Sequence, residues 1–112
     1  MISANDTDEK HFLIRKGAVP CGYLKINGLE DGNDGWISIL AVASAFQRKG
    51  IGKYAVSYAE SFFKKQGKLC VKIHTTTDNY PARKLYEKCG YLLCNSTNTY
   101  TAKDKLTYFK QI

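Results

Sequence analysis

The spacing of apolar and polar residues changes several times along these 112 residues, and each change marks an element. HFLIR (11–15) and CGYLKI (21–26) read as two strands, separated by a short turn through Lys16-Gly17-Ala18-Val19-Pro20. NGLEDGNDG (27–35) carries three glycines and three acids and predicts a loop or wide hairpin turn. WISILAV (36–42) is continuously apolar apart from one serine, which predicts a central strand buried on both faces. From Gly50 to Gln66 the period lengthens. Ile51, Ala55, Tyr58, Ala59, Phe62 and Phe63 recur every three or four residues, as on a helix with one buried stripe. Lys53, Ser57, Glu60, Lys64 and Lys65 fall on its outer side, with Glu60 and Lys64 as an i,i+4 pair, and Gly67 stands where a helix stops.

LCVKIHT (69–75) predicts another strand, and TTTDNYPARKLYEKCG a second helix that Asp78 or Asn79 can cap, with Pro81 near its first position and Gly90 at its end. YLLCN (91–95) and LTYFKQI (106–112) read as final strands around a polar loop, Ser96 to Asp104. The order is strands, helix, strand, helix, strands, which predicts an α/β or α+β fold with a central sheet and two principal helices. No repeat, linker or low-complexity segment divides the chain, so residues 1–112 are expected to form a single domain.

Charge and cysteine content narrow the chemistry. A net charge of +7 favours an anionic partner, but the cations are dispersed and no aromatic-plus-basic cluster resembles a nucleic-acid reader. A solvated basic surface or a local phosphate site remains. Cys21, Cys70, Cys89 and Cys94 lie in apolar or strand-like stretches, with no CxxC and no nearby histidine pair, so they are expected to be buried reduced thiols and not a metal site. No apolar run approaches the ~20 residues of a membrane span. The polar, acidic start MISANDTDEK does not read as a secretory signal, so the expected compartment is the cytoplasm.

QRKGIG (47–52) precedes the first helix. A helix start presents unpaired N–H groups and a positive dipole end, which suit a phosphate. Glycine at 50 and 52 keeps side chains away from those amides, while Arg48, Lys49 and Lys53 add charge. The alternative is that the glycines serve close packing. A P-loop would need glycine at Gln47 and a hydroxyl residue at Tyr54. A dinucleotide fingerprint would need its first glycine directly after the strand, and an acid about 20 residues on; neither is present. On the second helix Asn79, Ala82, Arg83 and Tyr86 share one face, open either to a ligand or simply to partial burial of the phenol ring.

Taken together, LAVASAFQRKGIG (40–52) and NYPARKLYEKCGY (79–91) resemble the GNAT superfamily of acetyl-CoA-dependent N-acetyltransferases. The first stretch matches that family's glycine loop at Gln47, Gly50 and Gly52. The second matches its N-x-x-A-x-x-L-Y-x-x-x-G-F/Y helix at Asn79, Ala82, Leu85, Tyr86, Gly90 and Tyr91. The resemblance implies a mixed, mainly antiparallel sheet. It also implies a coenzyme A pyrophosphate held by the loop, Gln47, Arg48, Lys49, Gly50, Ile51, Gly52 and Lys53. The pantetheine arm would lie where the strand around Leu40 to Val42 parts from 69–75, with the Val42 amide on the thioester carbonyl and Asn79 on the arm. Tyr86 would be the general acid for the leaving thiolate.

The family usually begins with a strand and two helices covering the acceptor side, and only about ten residues precede HFLIR. An N-terminally short form is therefore expected, with an open acceptor side and a homodimer supplying a wall. The position of the family's strand glutamate falls on Trp36, so Asp34, His74 or a water wire are the candidates for a base. The expected reaction moves an acetyl group from acetyl-CoA directly to a primary amine, with no metal. The alternative is a non-catalytic CoA-binding or partner-subunit module.

Overall fold

The computed structural model describes residues 8–30, 32–94 and 105–112. Six strands form one sheet: β1 (Glu9–Lys16), β2 (Val19–Asn27), β3 (Asp34–Val42), β4 (Cys70–Thr76), β5 (Leu92–Leu93) and β6 (Lys105–Gln111). Their order across the sheet is β1-β2-β3-β4-β6-β5. Every neighbouring pair is antiparallel except β3 and β4, which run parallel. A parallel pair needs a crossover, and helix α1 (Ile51–Lys65) provides it, while α2 (Tyr80–Lys88) follows β4. The mixed sheet with two helices is the expected fold. The turn between β1 and β2 is tighter than expected, because Gly17 takes a φ of 63° and the strands extend to Lys16 and Val19. The loop predicted from Ser96 to Asp104 lies outside the described residues.

One row of side chains organises the core. Ile26, Ile37, Ile73 and Tyr108 stand opposite one another in turn across four strands, and all four are buried. Val56, Ala59 and Phe63 of α1 and Tyr86 of α2 join the same cluster. The glycine at position 35 is dictated by that packing, since a Cβ there would come within 2.4 Å of the Phe63 ring. On β4, Val71, Ile73 and Thr75 are buried beneath the helices, while Lys72, His74 and Thr76 alternate toward the opposite face. Among the described residues no helix covers that second face.

Four expectations change. β3 is not buried on both faces along its length: Ile37 is 2% exposed and Ile39 43%. A bulge explains this, because Ile26 opposes Ile37 and Lys25 opposes Ile39, leaving Ser38 as an extra residue. From there the side chains exchange faces, so Leu40 takes the core position opposite Leu24 and Ile39 turns outward. Glu60 does not pair with Lys64. It is drawn in instead, accepting a bond from the Tyr91 hydroxyl at 2.8 Å and pairing with Lys110 at 3.3 Å. Val56 replaces Tyr58 in the buried stripe, and Tyr58 stacks edge-on against Phe12 at 5.1 Å on a partly exposed surface. All four cysteines are free, but only Cys21 is buried; Cys70, Cys89 and Cys94 are half-buried.

The Gly35 contact yields a direct test. Gly35→Ala places a methyl group into the Phe63 ring, and overpacking of this kind costs about 1–3 kcal/mol. The melting temperature followed by circular dichroism should fall by several degrees. An unchanged melt would mean that Phe63 does not occupy this position.

Candidate active site

The pairing of β3 with β4 runs from Asp34 opposite Cys70 to Ile37 opposite Ile73 and stops there. Both strands continue, to Val42 and Thr76, with a widening gap between them. The bulge at Ser38 sits at the point of separation and gives β3 the extra twist that carries it away. Beyond the end of β3, the Ala43 amide donates to the Cys21 carbonyl at 2.8 Å. Strand amides alternate in direction, so those of Val42 and Leu40 face the opposite way, toward the gap. The cavity there has a volume of about 290 Å³. It is lined by Ile37 to Leu40 of β3, Ile73 to Thr76 of β4, and Asn79 and Tyr86 of α2.

Helix α2 is held so that two of its side chains reach this gap. Asn79 is the N-cap, and its side-chain oxygen accepts from the Ala82 amide at 3.3 Å, which leaves its NH₂ group available. Pro81 follows in the first turn, as its missing N–H allows. Tyr86 lies one face along, buried, with its ring edge-on to Tyr108 at 5.8 Å. Among the described residues nothing bonds its hydroxyl, although no buried polar side-chain atom is left unsatisfied, so the hydroxyl opens into the cavity. Burial pushes the Tyr86 phenol up to about 12, with the nearby Cys89 thiol adding to the shift. It therefore carries its proton throughout the neutral range. Arg83, expected on the same face, turns away and donates to the Thr77 carbonyl at 2.8 Å and the Tyr108 hydroxyl at 3.1 Å.

The glycine loop joins β3 to α1 past a short 3₁₀ turn, Ser44–Phe46. The Gln47 side chain donates to the Val42 carbonyl at 3.1 Å and so ties the loop to the end of the gap. Arg48 and Gly50 both take positive φ, 65° and 83°. For Gly50 the left-handed backbone is the reason for glycine, and the space beside it is open. Gly52 has a different reason: a Cβ there would lie 2.9 Å from Leu85, so its missing side chain lets α1 close onto α2. Of the two readings of the glycines, close packing applies at Gly52. Among the described residues the amides from Arg48 to Lys53 make no hydrogen bond, and Arg48, Lys49 and Lys53 are exposed around them. Ile51 is half-buried as the first residue of α1.

The two base candidates part company. Asp34 forms an ion pair with Lys72 at 3.0 Å, at the closed end of the β3–β4 pair. His74 stands at the gap itself, its ring tilted against Trp36 at 4.7 Å and bonded through Nδ1 to the Thr107 hydroxyl at 2.9 Å. Ser38, Thr75 and Thr76 also line the gap and were missed from sequence, because only the bulge and the separation of the strands bring them there.

The acetyltransferase (GNAT) family model matches residues 2–91. The chain belongs to this family. No curated protein matches it. Among solved structures, the PaiA N-acetyltransferase from Thermoplasma acidophilum, in complex with coenzyme A, superposes with a TM-score of 0.83 at 18% identity. That alignment covers 98% of this chain and 65% of the other. An acetyltransferase from Thermus thermophilus gives 0.82 at 19% identity, covering 97% of this chain and 68% of that one. The Bacillus subtilis acetyltransferase in complex with CoA gives 0.81 at 20%, with 94% and 78% covered. At these identities the likeness is one of fold, and in it the GNAT sheet and both helices are present.

The phenol's burial has a measurable consequence in this GNAT chain. With a folded-state value near 12 against an ordinary 10, the neutral Tyr86 stabilises the fold fully below pH 10. That contribution is lost as pH climbs through about 12. Tyrosinate absorbance at 295 nm, compared between the parent and Tyr86→Phe, should lack one late-titrating group in the variant. A difference curve with its midpoint at or below pH 10 would contradict the burial.

Proposed function

We propose that this GNAT chain transfers an acetyl group from acetyl-CoA directly to a primary amine. The single observation that carries this reading is the gap where β3 leaves β4: the free phenol of Tyr86 opens into one side of it, and the amide-lined loop closes its end. An extended pantetheine arm has the length and the peptide-like bonds to pair with the Leu40 and Val42 backbone along one lip, and the Asn79 NH₂ group is free to meet it on the other. The loop suits a pyrophosphate, since the Gln47–Lys53 segment combines unpaired N–H groups, the positive end of α1, and the charges of Arg48, Lys49 and Lys53. Ile51 contributes its amide to that set, and Gly50 leaves room beside it.

The coenzyme supplies an activated thioester. This chain polarises and protonates it. The Val42 N–H is placed to take up charge that develops on the carbonyl oxygen. As the amine nitrogen bonds to the carbonyl carbon and the carbon–sulfur bond breaks, the departing sulfur takes the Tyr86 proton. The nitrogen loses a proton in the same reaction, so the product is an amide and a free thiol.

Two variants separate coenzyme binding from chemistry. Gly50→Glu puts a carboxylate on the open side of the loop and strains a left-handed backbone. Acetyl-CoA at about 100 times its dissociation constant should raise the parent's stability by about 2.7 kcal/mol and leave this variant unmoved. Equal thermal shifts in both proteins would remove the phosphate role of the loop. Tyr86→Phe keeps the ring and loses the proton, so acetyl-CoA should still raise its melting temperature while amine acetylation falls by about 10²–10⁴-fold. Parent-like turnover in Tyr86→Phe, with chemistry rate-limiting, would remove Tyr86 as the acid. If acetyl-CoA binds the parent and no amine is acetylated, the chain is a coenzyme-binding module instead.

A further inference from the structure

Tyr86 opens into the gap with no hydrogen bond, among the described residues, to aim its hydroxyl. Its direction is therefore set by its backbone and by the rings around it. Tyr86 is the third residue from the end of α2, so that backbone is the last turn of the helix. The turn closes in a glycine cap. The Tyr91 amide donates to the Tyr86 carbonyl at 2.9 Å and the Gly90 amide to the Glu87 carbonyl at 3.1 Å, with Gly90 left-handed at a φ of 93°. The Tyr91 ring completes the cap against the Tyr86 ring, their centroids 6.4 Å apart.

Groups from other elements hold this cap in place. The Tyr91 hydroxyl donates to Glu60 of α1 at 2.8 Å, and Lys110 Nζ donates to both oxygens of the same carboxylate at 3.3 Å. The Lys110 ammonium also donates to the Cys89 carbonyl at 2.9 Å. Cys89 is the C-cap of α2, where a helix leaves carbonyls without a partner and where its dipole favours a cation. Lys110 reaches this point because it stands opposite the buried Val71 of β4 and so shares the helix side of the sheet. Its stem passes over Gly90, where a Cβ would lie 3.6 Å from Lys110 Cε. One ammonium thus joins β6, α1 and the end of α2. Burial, chiefly, and the bond to Glu60 hold the Tyr91 phenol well above the ordinary tyrosine range, so it remains a donor in this arrangement.

Resting on the acetyl-transfer reading above, we propose that Lys110 is a positioning residue for Tyr86: by clamping the Cys89 carbonyl to Glu60 it fixes the last turn of α2 and aims the Tyr86 hydroxyl into the gap. The stretches that carry the family resemblance, 40–52 and 79–91, contain neither Lys110 nor Glu60, and the family match ends at residue 91. The groups assigned to the coenzyme lie elsewhere, in the glycine loop, along β3 and at Asn79 on the opposite end of α2. Loosening the clamp therefore affects proton delivery to the sulfur and not retention of acetyl-CoA.

Lys110→Met removes the ammonium and keeps most of the stem. Acetyl-CoA should raise its melting temperature as it does the parent's. With n-butylamine as the acceptor, KM for acetyl-CoA should stay within about twofold of the parent while kcat falls by about 10–10²-fold, the scale of a misplaced catalytic group. Lys110→Arg, which keeps a cation with several N–H donors, should recover most of the loss. The decisive comparison is with Tyr86→Phe, because a residue that acts only through the phenol has nothing left to position once the hydroxyl is gone. Lys110→Met added to Tyr86→Phe should slow turnover by no more than about twofold beyond Tyr86→Phe alone. If Lys110→Met melts below the assay temperature, Lys110→Gln, neutral but still able to donate to the Cys89 carbonyl, carries the same comparison. Parent-like kcat in the neutral variant, a loss confined to KM, or losses that multiply in the double variant would each overturn this inference alone. A parent that leaves n-butylamine untouched would remove the transfer reading and this inference with it.

Discussion

Parallel strands that stop pairing halfway leave N–H and C=O groups on both lips that only water or an extended ligand can satisfy. At β3 and β4 this happens immediately after Ile37 and Ile73, which belong to the most regular row of the core. The strong packing on one side of that row holds the strands together, and the bulge at Ser38 drives them apart on the other. Everything assigned to the site follows from this. Leu40 and Val42 present backbone to the gap, α2 fills the helix side with Asn79 and Tyr86, and the loop that must reconnect β3 to α1 arrives at its end with unpaired amides.

The contact between Gly52 and Leu85 couples the two halves of the site. Because α1 begins against α2, the loop and Tyr86 are positioned by one helix pair and not by independent elements. The burial that keeps the Tyr86 phenol protonated comes from the same packing, through Tyr108 and Tyr91 beside it. The hydrophobic core thus sets the proton affinity of this phenol as well as the stability of the fold.

Much of this architecture was legible in the sequence, because it rests on local signals. The change from a continuous apolar run to a helical period located β3 and α1. Asn79, Pro81 and Gly90 marked the ends of α2, and the two family stretches placed Gln47–Gly52 and Tyr86 in one protein family. What stayed hidden depends on pairing between distant segments. The bulge at Ser38 is set by the register of β3 on β2, so the outward turn of Ile39 could not be read from its apolar neighbours. Glu60 has a suitable partner four residues away, yet Tyr91 and Lys110 take it, since the sheet brings both beneath α1. His74 was a base candidate in the sequence, but the Trp36 ring and the Thr107 hydroxyl that hold it come from the neighbouring strands and could not be read there.

The central claim is that the open lips of β3 and the glycine loop together receive the coenzyme. Site-resolved amide hydrogen exchange, measured by NMR with and without saturating acetyl-CoA, tests it most directly. The account predicts that exchange slows at Leu40 and Val42 and across Arg48 to Lys53, with little change along β1. Saturable binding that leaves these amides exchanging at their free rates, or that protects the helix-free face instead, would contradict it.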